Sequence, residues 1–384
     1  MSQAAYITDV SAFLPGEPVS NEDMEKVLGL VGESASRVRR IILRSNKIQS
    51  RHYALDPATR AQTHSNAQLA AEAVRRLAPY AGYSPADIQC LACGTSSPDQ
   101  LLPGHGLMVH GELATGPCEV VSPAGICLAG IGALKYAYMN VALGLSENAV
   151  ATGSELSSTF LRAEFCEPAA CDRSEELQKA PILAFEADFL RWMLSDGAGA
   201  VFVTNAPRPD GLSLRIDWIE HVSFAGSLPT CMYAGGEKRE DGSLVGWRSL
   251  VERGQNVDKS LLLVRQDVKM LNSEVVVTAV DRTLPLVIGR RGIKPEDVDW
   301  FLPHISSEFF RPQLAERMEA FGFHIPQERW FTNLSSRGNT GSASIFIMLA
   351  ELFRSGRIEK GQKLLCFIPE SGRFSMSYML LTAV

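Results

Sequence analysis

The sequence lacks the features that would assign it to a membrane, to secretion or to nucleic acid. No run of about 18 apolar residues, the length that a membrane-spanning helix needs, occurs in its 384 residues. The opening MSQAAYITDVSAFLPG lacks the basic and apolar regions of a signal peptide. Lys and Arg number 37 against 43 Asp and Glu, and a net charge of −6 disfavours bulk electrostatic binding of nucleic acid. We therefore expect a cytoplasmic protein with no membrane or nucleic-acid partner.

The eight cysteines lack the spacing of a disulfide framework or a metal site. Cys90 and Cys93 form a CxxC pair inside the apolar run IQCLACG, but no second pair stands at metal-binding spacing. The glycine-rich segment SDGAGAVFV lacks the GxGxxG pattern of a dinucleotide-binding turn. We expect free, buried thiols in a reducing compartment, no metal and no cofactor.

The composition and pattern that are present indicate an α/β protein. Apolar residues make up 46% of the chain, enough for a large core. Strand-like and helix-like segments alternate, as they do in layered α/β folds. The predicted strands are 88–93, 149–152, 200–203, 274–279, 300–303 and 364–368, and the predicted helices are 67–77, 128–145, 312–321 and 340–354.

The two halves of the sequence resemble each other weakly. SPADIQCLACGTSS matches KPEDVDWFLPHISS, since each reads as a Pro-initiated turn, a buried strand and a Ser-rich loop. AGICLAGIGALKYAYMNVALG matches SRGNTGSASIFIMLAELFRSG at nearly the same separation, which pairs Cys127 with Asn339. We interpret the chain as two similar halves, 1–205 and 206–384, divided at the turn-rich linker 205–213.

Cys127 is the candidate nucleophile. It stands among small residues in SPAGICLAGIGAL, just before a long apolar helix. A thiol at a helix N-terminus feels the positive end of the helix dipole, so we expect a lowered thiol pKa. The alternative is a buried structural cysteine, which is how most cysteines behave.

His304 and Asn339 are candidates for the same site. His304 follows the apolar strand VDWFLP, and the carboxyl ends of buried strands are where α/β sheets place functional groups. Asn339, in SSRGNTGSASIF, stands where a loop enters a helix. The alternatives are a core histidine bonded to backbone and an ordinary helix cap. If a pseudo-twofold axis relates the halves, both helices direct their N-termini to one site, where these side chains meet.

Several motifs occur in an order and spacing that match a known family. They are AYITDVSAFLPG near the start, GTSSPDQLLPGHGLMVHGEL, SPAGICLAG, SDGAGAVFV, PHISS and RGNTGSASI. Over nearly the whole chain they resemble the β-ketoacyl-ACP synthase III branch of the thiolase superfamily. This resemblance implies a thiolase-like five-layer αβαβα fold of two pseudo-symmetric halves and a homodimer. It also implies a catalytic triad, whose roles would fall on Cys127, His304 and Asn339.

The implied chemistry is carbon–carbon bond formation between thioesters. The Cys127 thiolate would take an acyl group, and His304 and Asn339 would stabilise the enolate of the second substrate. The backbone N–H of Cys127 and a donor near Ser371 or Gly372 would form a second oxyanion hole.

Two loops depart from the family pattern. Ile305, Ser306 and Ser307 follow the histidine where the family has Gln-Ala-Asn, and PESGRFS replaces a glycine-rich loop. These departures resemble a subgroup that joins two acyl thioesters and closes a ring to dialkylcyclohexanediones, the precursors of dialkylresorcinols. In that case Glu155 is an extra acid/base, and the alternative is a structural carboxylate that caps a loop.

Substrates would be acyl-CoA or an acyl carrier protein. Arg40 and Arg44 lie in a basic stretch that is either a solvated helix face or a docking surface for these acidic partners. The segments 157–190 and 225–259 break the regular pattern and are interpreted as insertions that shape substrate access.

Three functions remain possible from the sequence. The first is a ring-forming condensing enzyme, and the second is an ordinary initiating synthase that uses acyl-CoA and malonyl-ACP. The third is a non-catalytic acyl-binding partner subunit, although such a subunit would be expected to have lost Cys127. A type III polyketide synthase is disfavoured because its Gly-Phe-Gly-Pro-Gly loop is absent, and a degradative thiolase because Cys366 falls within a predicted strand.

Overall fold

The structure is a computed structural model that describes residues 3–31, 36, 39–165, 189–254 and 259–384. The strands are β1 Tyr6–Phe13, β2 Val19–Ser20, β3 Ser50–Arg51, β4 Cys90–Thr95, β5 Glu119–Val121, β6 Asn148–Glu155, β7 Gly197–Thr204, β8 Leu214–Ser223, β9 Met232–Tyr233, β10 Gly236–Lys238, β11 Leu244–Gly246, β12 Arg265–Gln266, β13 Trp300–Pro303, β14 Lys363–Glu370 and β15 Ser375–Ala383. The helices are α1 Met24–Leu28, α2 Arg39–Asn46, α3 Asn66–Arg75, α4 His105–Leu113, α5 Leu128–Ala142, α6 Ser158–Leu161, α7 Trp247–Glu252, α8 Val268–Val277, α9 Leu284–Arg291, α10 Phe310–Ala320, α11 Leu334–Arg337 and α12 Ser344–Arg354.

Nine strands form one sheet whose order has internal symmetry. The order is β13-β14-β15-β8-β1-β7-β6-β4-β5. On one side β4 and β6 are parallel, while β7 and then β1 continue antiparallel. On the other side β13 and β14 are parallel, while β15 and then β8 continue antiparallel. The two sets meet where β1 pairs with β8, so the same four-strand pattern occurs twice.

The alternation of side chains along the strands creates the layers. In β7, Val201 and Val203 belong to one core cluster, while Ala200 and Phe202 belong to another. Successive side chains on a strand point to opposite faces, so this strand is covered on both sides. The strand β14 repeats the arrangement, since Cys366 and Phe367 belong to different clusters.

The helices α5 and α12 form the central layer. Leu134 of α5 and Phe346 of α12 share a buried cluster with residues from both four-strand sets, such as Val201 of β7 and Met379 of β15. The helices α3 and α4 cover one outer face, and α8, α9 and α10 cover the other. The result is the predicted thiolase-like five-layer αβαβα fold with two pseudo-symmetric halves. In the described part of the chain, no helix is long and apolar enough to cross a membrane.

The duplication inferred from the sequence also appears in local backbone geometry. Short 3₁₀ turns, Pro85–Asp87 and Pro295–Asp297, precede β4 and β13. Gly144 and Gly356 follow α5 and α12 with φ angles of 71° and 70°, a left-handed conformation that glycine adopts without strain. The described loop 205–213 joins β7 to β8, and a division between two halves at this loop stays a prediction.

One predicted strand is wrong. The segment 274–279, EVVVTA, belongs to α8 and to the π-helical turn Thr278–Thr283 that follows it. Its run of β-branched residues favours a strand by local propensity. Asp267 overrides that preference, because its carboxylate caps the helix by accepting the Met270 N–H at 2.9 Å. Leu271, Val275 and Val276 then pack into the core.

The predicted insertions are partly visible. Of the segment 157–190, the structure shows α6 and the start of the 3₁₀ turn Leu190–Trp192, whereas Cys166 and Cys171 lie outside the described residues. The described part of the segment 225–259 holds β9, β10, β11 and α7. Outside the main sheet, β10 pairs with β11, and β9 pairs with β12.

The central layer depends on a close approach of backbones. A Cβ atom on Gly130 of α5 or on Gly153 of β6 would lie 2.4 Å from the carbonyl oxygen of Ser342. Ser342 lies in the 3₁₀ turn Gly341–Ala343 that leads into α12. Only glycine fits at both positions, so these two residues allow the start of α12 to dock beside α5.

The substitution Gly153→Ala should therefore destabilise the fold. The new methyl group would meet backbone atoms, and overpacking of this kind costs about 1–3 kcal/mol in the free energy of unfolding. Urea unfolding checks this value. The control is Gly289→Ala in α9, where a Cβ meets nothing within 4 Å, and this variant should be neutral or more stable by up to about 1 kcal/mol. Equal stability of the two variants would contradict the proposed close contact.

Candidate active site

Cys127 lies at the N-terminus of α5, as the sequence predicts. It is the N-cap residue, with φ −64° and ψ −25°, and only 9% of it is exposed. The small neighbour Gly125 lies close to the side chain of Glu370, which ends β14. The nucleophile candidate is therefore held between a strand end and a helix start.

The expectation of a lowered thiol pKa is wrong. Burial raises the pKa of Cys127 well above its usual value, and the carboxylates of Glu370 and Glu155 raise it further. The residue's own backbone N–H lowers the pKa, but less. In the free protein this cysteine is a neutral thiol at pH 7.

His304 begins the loop after β13. Its backbone N–H donates to the carbonyl of Phe367 in β14 at 2.8 Å, which holds the residue against the neighbouring parallel strand. The side chain is 3% exposed, and burial lowers its pKa to about 4. The imidazole is therefore neutral at pH 7 and can both donate and accept a proton.

Asn339 precedes the 3₁₀ turn that leads into α12. Its backbone N–H donates to the carbonyl of Met193, and its carbonyl accepts from the N–H of Ser195, both at 2.9 Å. Its Oδ1 accepts the N–H of Gly341 at 3.0 Å. Because the oxygen of the amide is occupied in this way, its NH₂ group is the part that is available to a ligand.

Cys127, His304 and Asn339 line one pocket. They come from α5, from the loop after β13 and from the loop before α12, so the fold brings together residues that are far apart in the chain. The rest of the lining is mostly apolar, with three polar side chains. It consists of Leu190, Met193, Met232, Gln266, Leu271, Val275, Ser306, Pro369 and Ser371.

Known proteins resemble this chain in sequence. A family model described as 3-oxoacyl-[acyl-carrier-protein (ACP)] synthase III C terminal matches residues 288–372, the segment that contains His304 and Asn339. Two curated relatives are named β-ketoacyl-[acyl-carrier-protein] synthase III. The relative from Methylococcus capsulatus is 24% identical and the relative from Xanthomonas axonopodis pv. citri is 26% identical, and each match covers 95% of both chains.

Solved structures have the same fold. The structure of AbyA1, a tetronic acid condensing enzyme, superposes with a TM-score of 0.74 at 18% identity and covers 98% of this chain and 99% of its own. A structure of OleA from Xanthomonas campestris with bound lauric acid and lauroyl-CoA superposes with a TM-score of 0.71 at 19% identity, covering both chains fully.

The chain is similar over nearly its whole length to β-ketoacyl-ACP synthase III enzymes, and it shares the fold of solved structures of this kind. Its resemblance to this family, based on six motifs, is confirmed.

Glu155 is buried, with 1% exposure, and is not among the residues that line the pocket. Its Oε1 accepts the N–H groups of Ser96 at 3.2 Å and Ser342 at 3.1 Å, and its Oε2 accepts the hydroxyls of Ser96 at 2.6 Å and Ser97 at 2.8 Å. Burial raises its pKa, which these hydrogen bonds oppose. The contacts favour the structural alternative, a carboxylate that fixes the turn before α12.

The loop PESGRFS contributes Ser371 to the pocket, whereas Gly372 is not among the lining residues. A Cβ on Gly372 would lie 2.7 Å from the side chain of Ile126, so the loop packs directly beside the nucleophile turn. The carbonyl of Gly372 accepts the N–H of Cys231 at 2.9 Å, which ties this loop to the segment before β9. A Gly372 role in an oxyanion hole stays a prediction.

Arg40 and Arg44 lie one helical turn apart on α2, and both are exposed. Neither forms an ion pair with a residue that the structure describes, while the neighbouring Arg39 is paired with Glu25. These two cations are therefore available to a partner.

The other cysteines have different environments. Cys90, Cys93 and Cys366 are fully buried in strands, and burial raises the pKa of Cys90 and of Cys93 to about 12. No three His, Cys, Asp or Glu side chains of the described residues form a group that could hold a metal.

Sequence reasoning missed Gln266 as a pocket residue. This side chain is 2% exposed, and its amide donates to the Cys231 carbonyl at 3.3 Å and to the Cys231 sulfur at 3.0 Å. Its Oε1 accepts the hydroxyl of Ser371 at 3.3 Å. Gln266 lies in the two-residue strand β12, and no motif in the sequence marks it.

The neutral His304 should make stability depend on pH. In the unfolded chain a histidine protonates below about pH 6.5, whereas in the fold this one stays neutral to about pH 4. The unfolded state then binds more protons, so stability falls as pH drops from 6.5 toward 4. Between pH 7 and pH 5 this group should account for a loss of about 2 kcal/mol.

The variant His304→Gln should lose that part of the pH dependence, as measured by denaturant unfolding at both pH values. His105 and His221, whose pKa values burial also lowers to about 4, remain in both proteins and cancel in the difference. The same pH dependence in variant and parent would mean that His304 is not held neutral.

Proposed function

We propose that this protein is a ketosynthase that joins two acyl thioesters by a Claisen-type condensation through an acyl-enzyme on Cys127. The observation that carries the proposal is that Cys127, His304 and Asn339 line one pocket whose remaining walls are largely apolar. An acyl chain needs apolar walls, and the condensation needs a nucleophile with fixed hydrogen-bond donors beside it. The pocket contains all of these parts.

The first step transfers an acyl group to the enzyme. The sulfur of Cys127 attacks the thioester carbonyl, a new carbon–sulfur bond forms, and the bond to the carrier thiol breaks. Because Cys127 is a neutral thiol, its proton must leave as the attack proceeds. The neutral imidazole of His304, in the same pocket, can take this proton and pass it to the departing thiolate.

The second step forms the carbon–carbon bond. The α-carbon of the second substrate loses a proton to the neutral imidazole of His304, which leaves an enolate whose oxygen needs hydrogen-bond donors in a site with little water. The ring of His304 and the NH₂ group of Asn339 are two such donors, since Gly341 occupies the other end of the amide. The enolate carbon then attacks the acyl carbonyl, the bond from the carbonyl carbon to the Cys127 sulfur breaks, and the released thiolate takes the proton back from His304. The backbone N–H of Cys127, with a donor near Gly372, would stabilise the tetrahedral oxyanion.

We further propose that the condensation product closes to a ring, a dialkylcyclohexanedione. Two departures from the usual loops of the family support this product class. Ser306 and Ser371 line the pocket with hydroxyl groups, and both lie in loops whose sequence differs from the family pattern. One of the similar structures is that of a tetronic acid condensing enzyme, and another holds lauric acid and lauroyl-CoA. An initiating synthase that makes only linear 3-oxoacyl products is the second candidate, favoured by the names of the curated relatives.

Incubation with an acyl thioester should add the mass of the acyl group to Cys127, as peptide mass spectrometry would detect. With a paired acyl and 3-oxoacyl thioester, chromatography with mass spectrometry should detect a cyclic product. Cys127→Ala should abolish both signals, whereas Cys118→Ala, which changes a cysteine outside the pocket, should leave both intact.

The outcomes separate the candidate functions. Acylation followed only by linear 3-oxo products would contradict ring closure and support an initiating synthase. Acyl binding without covalent modification of Cys127 would contradict the condensing function altogether and support a non-catalytic partner subunit.

The substrate carrier is proposed to dock at α2. Arg40 and Arg44 are exposed cations without an ion-pair partner among the described residues, and CoA phosphates and acyl carrier proteins are both acidic. A homodimer, which the family resemblance implies, belongs to the same proposal.

The double variant Arg40→Glu/Arg44→Glu should raise KM for the carrier-bound substrate about tenfold or more while kcat changes little, because electrostatic docking precedes the chemistry. Steady-state kinetics at low and high salt would check this, since salt should reduce the difference. The matched control is Arg357→Glu, another exposed arginine, on the loop after α12. An unchanged KM in the double variant would rule out docking at this helix.

A further inference from the structure

Glu370 makes a contact that the chemistry above does not use. It ends β14, and its Oε2 accepts the backbone N–H of Ile126 at 2.9 Å and of Leu128 at 3.0 Å. These two N–H groups flank Cys127 in the chain. One carboxylate oxygen therefore clamps both sides of the residue that carries the nucleophile.

The position of this carboxylate changes the electrostatics of the helix start. The first N–H groups of an α-helix have no partner within the helix and carry its positive dipole end. Here Glu370 takes the N–H of Leu128, the first residue of α5. The carboxylate of Glu370, and not a Cys127 thiolate, therefore interacts with the positive end of this helix.

The titratable groups around Cys127 come from three strands. Glu370 ends β14, Glu155 ends β6, and His304 follows β13. Of the two carboxylates, Glu370 raises the pKa of Cys127 more than Glu155 does. Burial of Cys127 and the neutral state of His304 act in the same direction, because neither favours a negative sulfur.

The two glutamates also differ in how they are held. Glu155 is fully buried and accepts four hydrogen bonds, from Ser96, Ser97 and Ser342. Glu370 is half-buried and accepts two, both from the nucleophile turn, while its Oε1 lies near Gly372. Glu155 therefore supports the scaffold, whereas Glu370 acts on the turn of Cys127 itself.

We propose that Glu370 is a positioning residue that fixes the turn around Cys127 and keeps its sulfur in the neutral thiol form until a thioester enters the pocket. This inference rests on the proposed function only in taking Cys127 as the nucleophile. A neutral thiol is a weak nucleophile toward oxidants and stray electrophiles. The proton leaves only when attack on the thioester begins, and it then moves to His304 and on to the departing thiolate.

The test is the pH dependence of Cys127 alkylation in the free protein. Wild type, Glu370→Gln and the control Glu359→Gln are treated with iodoacetamide from pH 6 upward, and the Cys127 peptide is quantified by mass spectrometry. Glutamine keeps an oxygen that can accept both N–H groups but removes the charge. Glu359 is an exposed glutamate on the loop after α12, so its change tests loss of one surface charge.

We expect the alkylation midpoint of Glu370→Gln to move to lower pH, with a rate at pH 7 that is about tenfold higher than in the wild type. The control should follow the wild type. A second variant, Glu370→Asp, retains the charge on a shorter side chain, and its midpoint should stay nearer to that of the wild type than does the midpoint of the glutamine variant. Thermal unfolding of each variant verifies that the fold is intact.

An unchanged midpoint in Glu370→Gln, with or without a lower stability, would reduce Glu370 to a structural clamp and overturn the proposal. A midpoint that moves to higher pH would overturn it as well. The alkylation assay needs no acyl substrate, so its failure is distinguishable from failure of the condensing function, which product analysis tests separately.

Discussion

The structure depends on two carboxylates that each cap the central helix belonging to the opposite half of the sheet. Glu370, at the end of β14, binds the N–H groups around the start of α5, and Glu155, at the end of β6, binds the N–H of Ser342 before α12. The close backbone approach of Gly130 and Gly153 to Ser342 makes this reciprocal capping possible. It fixes both helix N-termini at one pocket, and Cys127 and Asn339 sit at equivalent positions on the two sides.

This reciprocal capping of the two helix starts has a chemical consequence. The positive ends of both helices are already occupied by carboxylates, so the cysteine does not gain the dipole that would make it a resting thiolate. The site consists instead of a buried neutral thiol and a buried neutral imidazole. Such a pair can pass one proton from the sulfur through the imidazole to the departing thiolate, so the resting site holds no charged sulfur or imidazolium that the apolar walls would penalise.

The sequence predicts the layered fold, and it predicts that Cys127, His304 and Asn339 meet, because a duplicated frame pairs Cys127 with Asn339 and a strand end marks His304. The three residues line one pocket, and their catalytic roles stay predictions. The protonation state of the site is harder to predict from the sequence. The direction of the Cys127 pKa depends on Glu370, which lies far along the chain and is brought beside it only by folding. The segment 274–279 misleads because β-branched residues favour strands locally while tertiary packing and the Asp267 cap decide for a helix. Gln266 could not be predicted as a pocket residue, because a two-residue strand is too short to give a periodic pattern in the sequence.

A crystal structure of the protein after reaction with a medium-chain acyl thioester would show whether Cys127, His304 and Asn339 act on one acyl group. We expect continuous density from the Cys127 sulfur to an acyl chain among Leu190, Met193 and Val275. His304 and the NH₂ group of Asn339 should both face the space where the second substrate would bind. Density for the acyl group on another residue, or a His304 and an Asn339 turned away from the acylated sulfur, would contradict it.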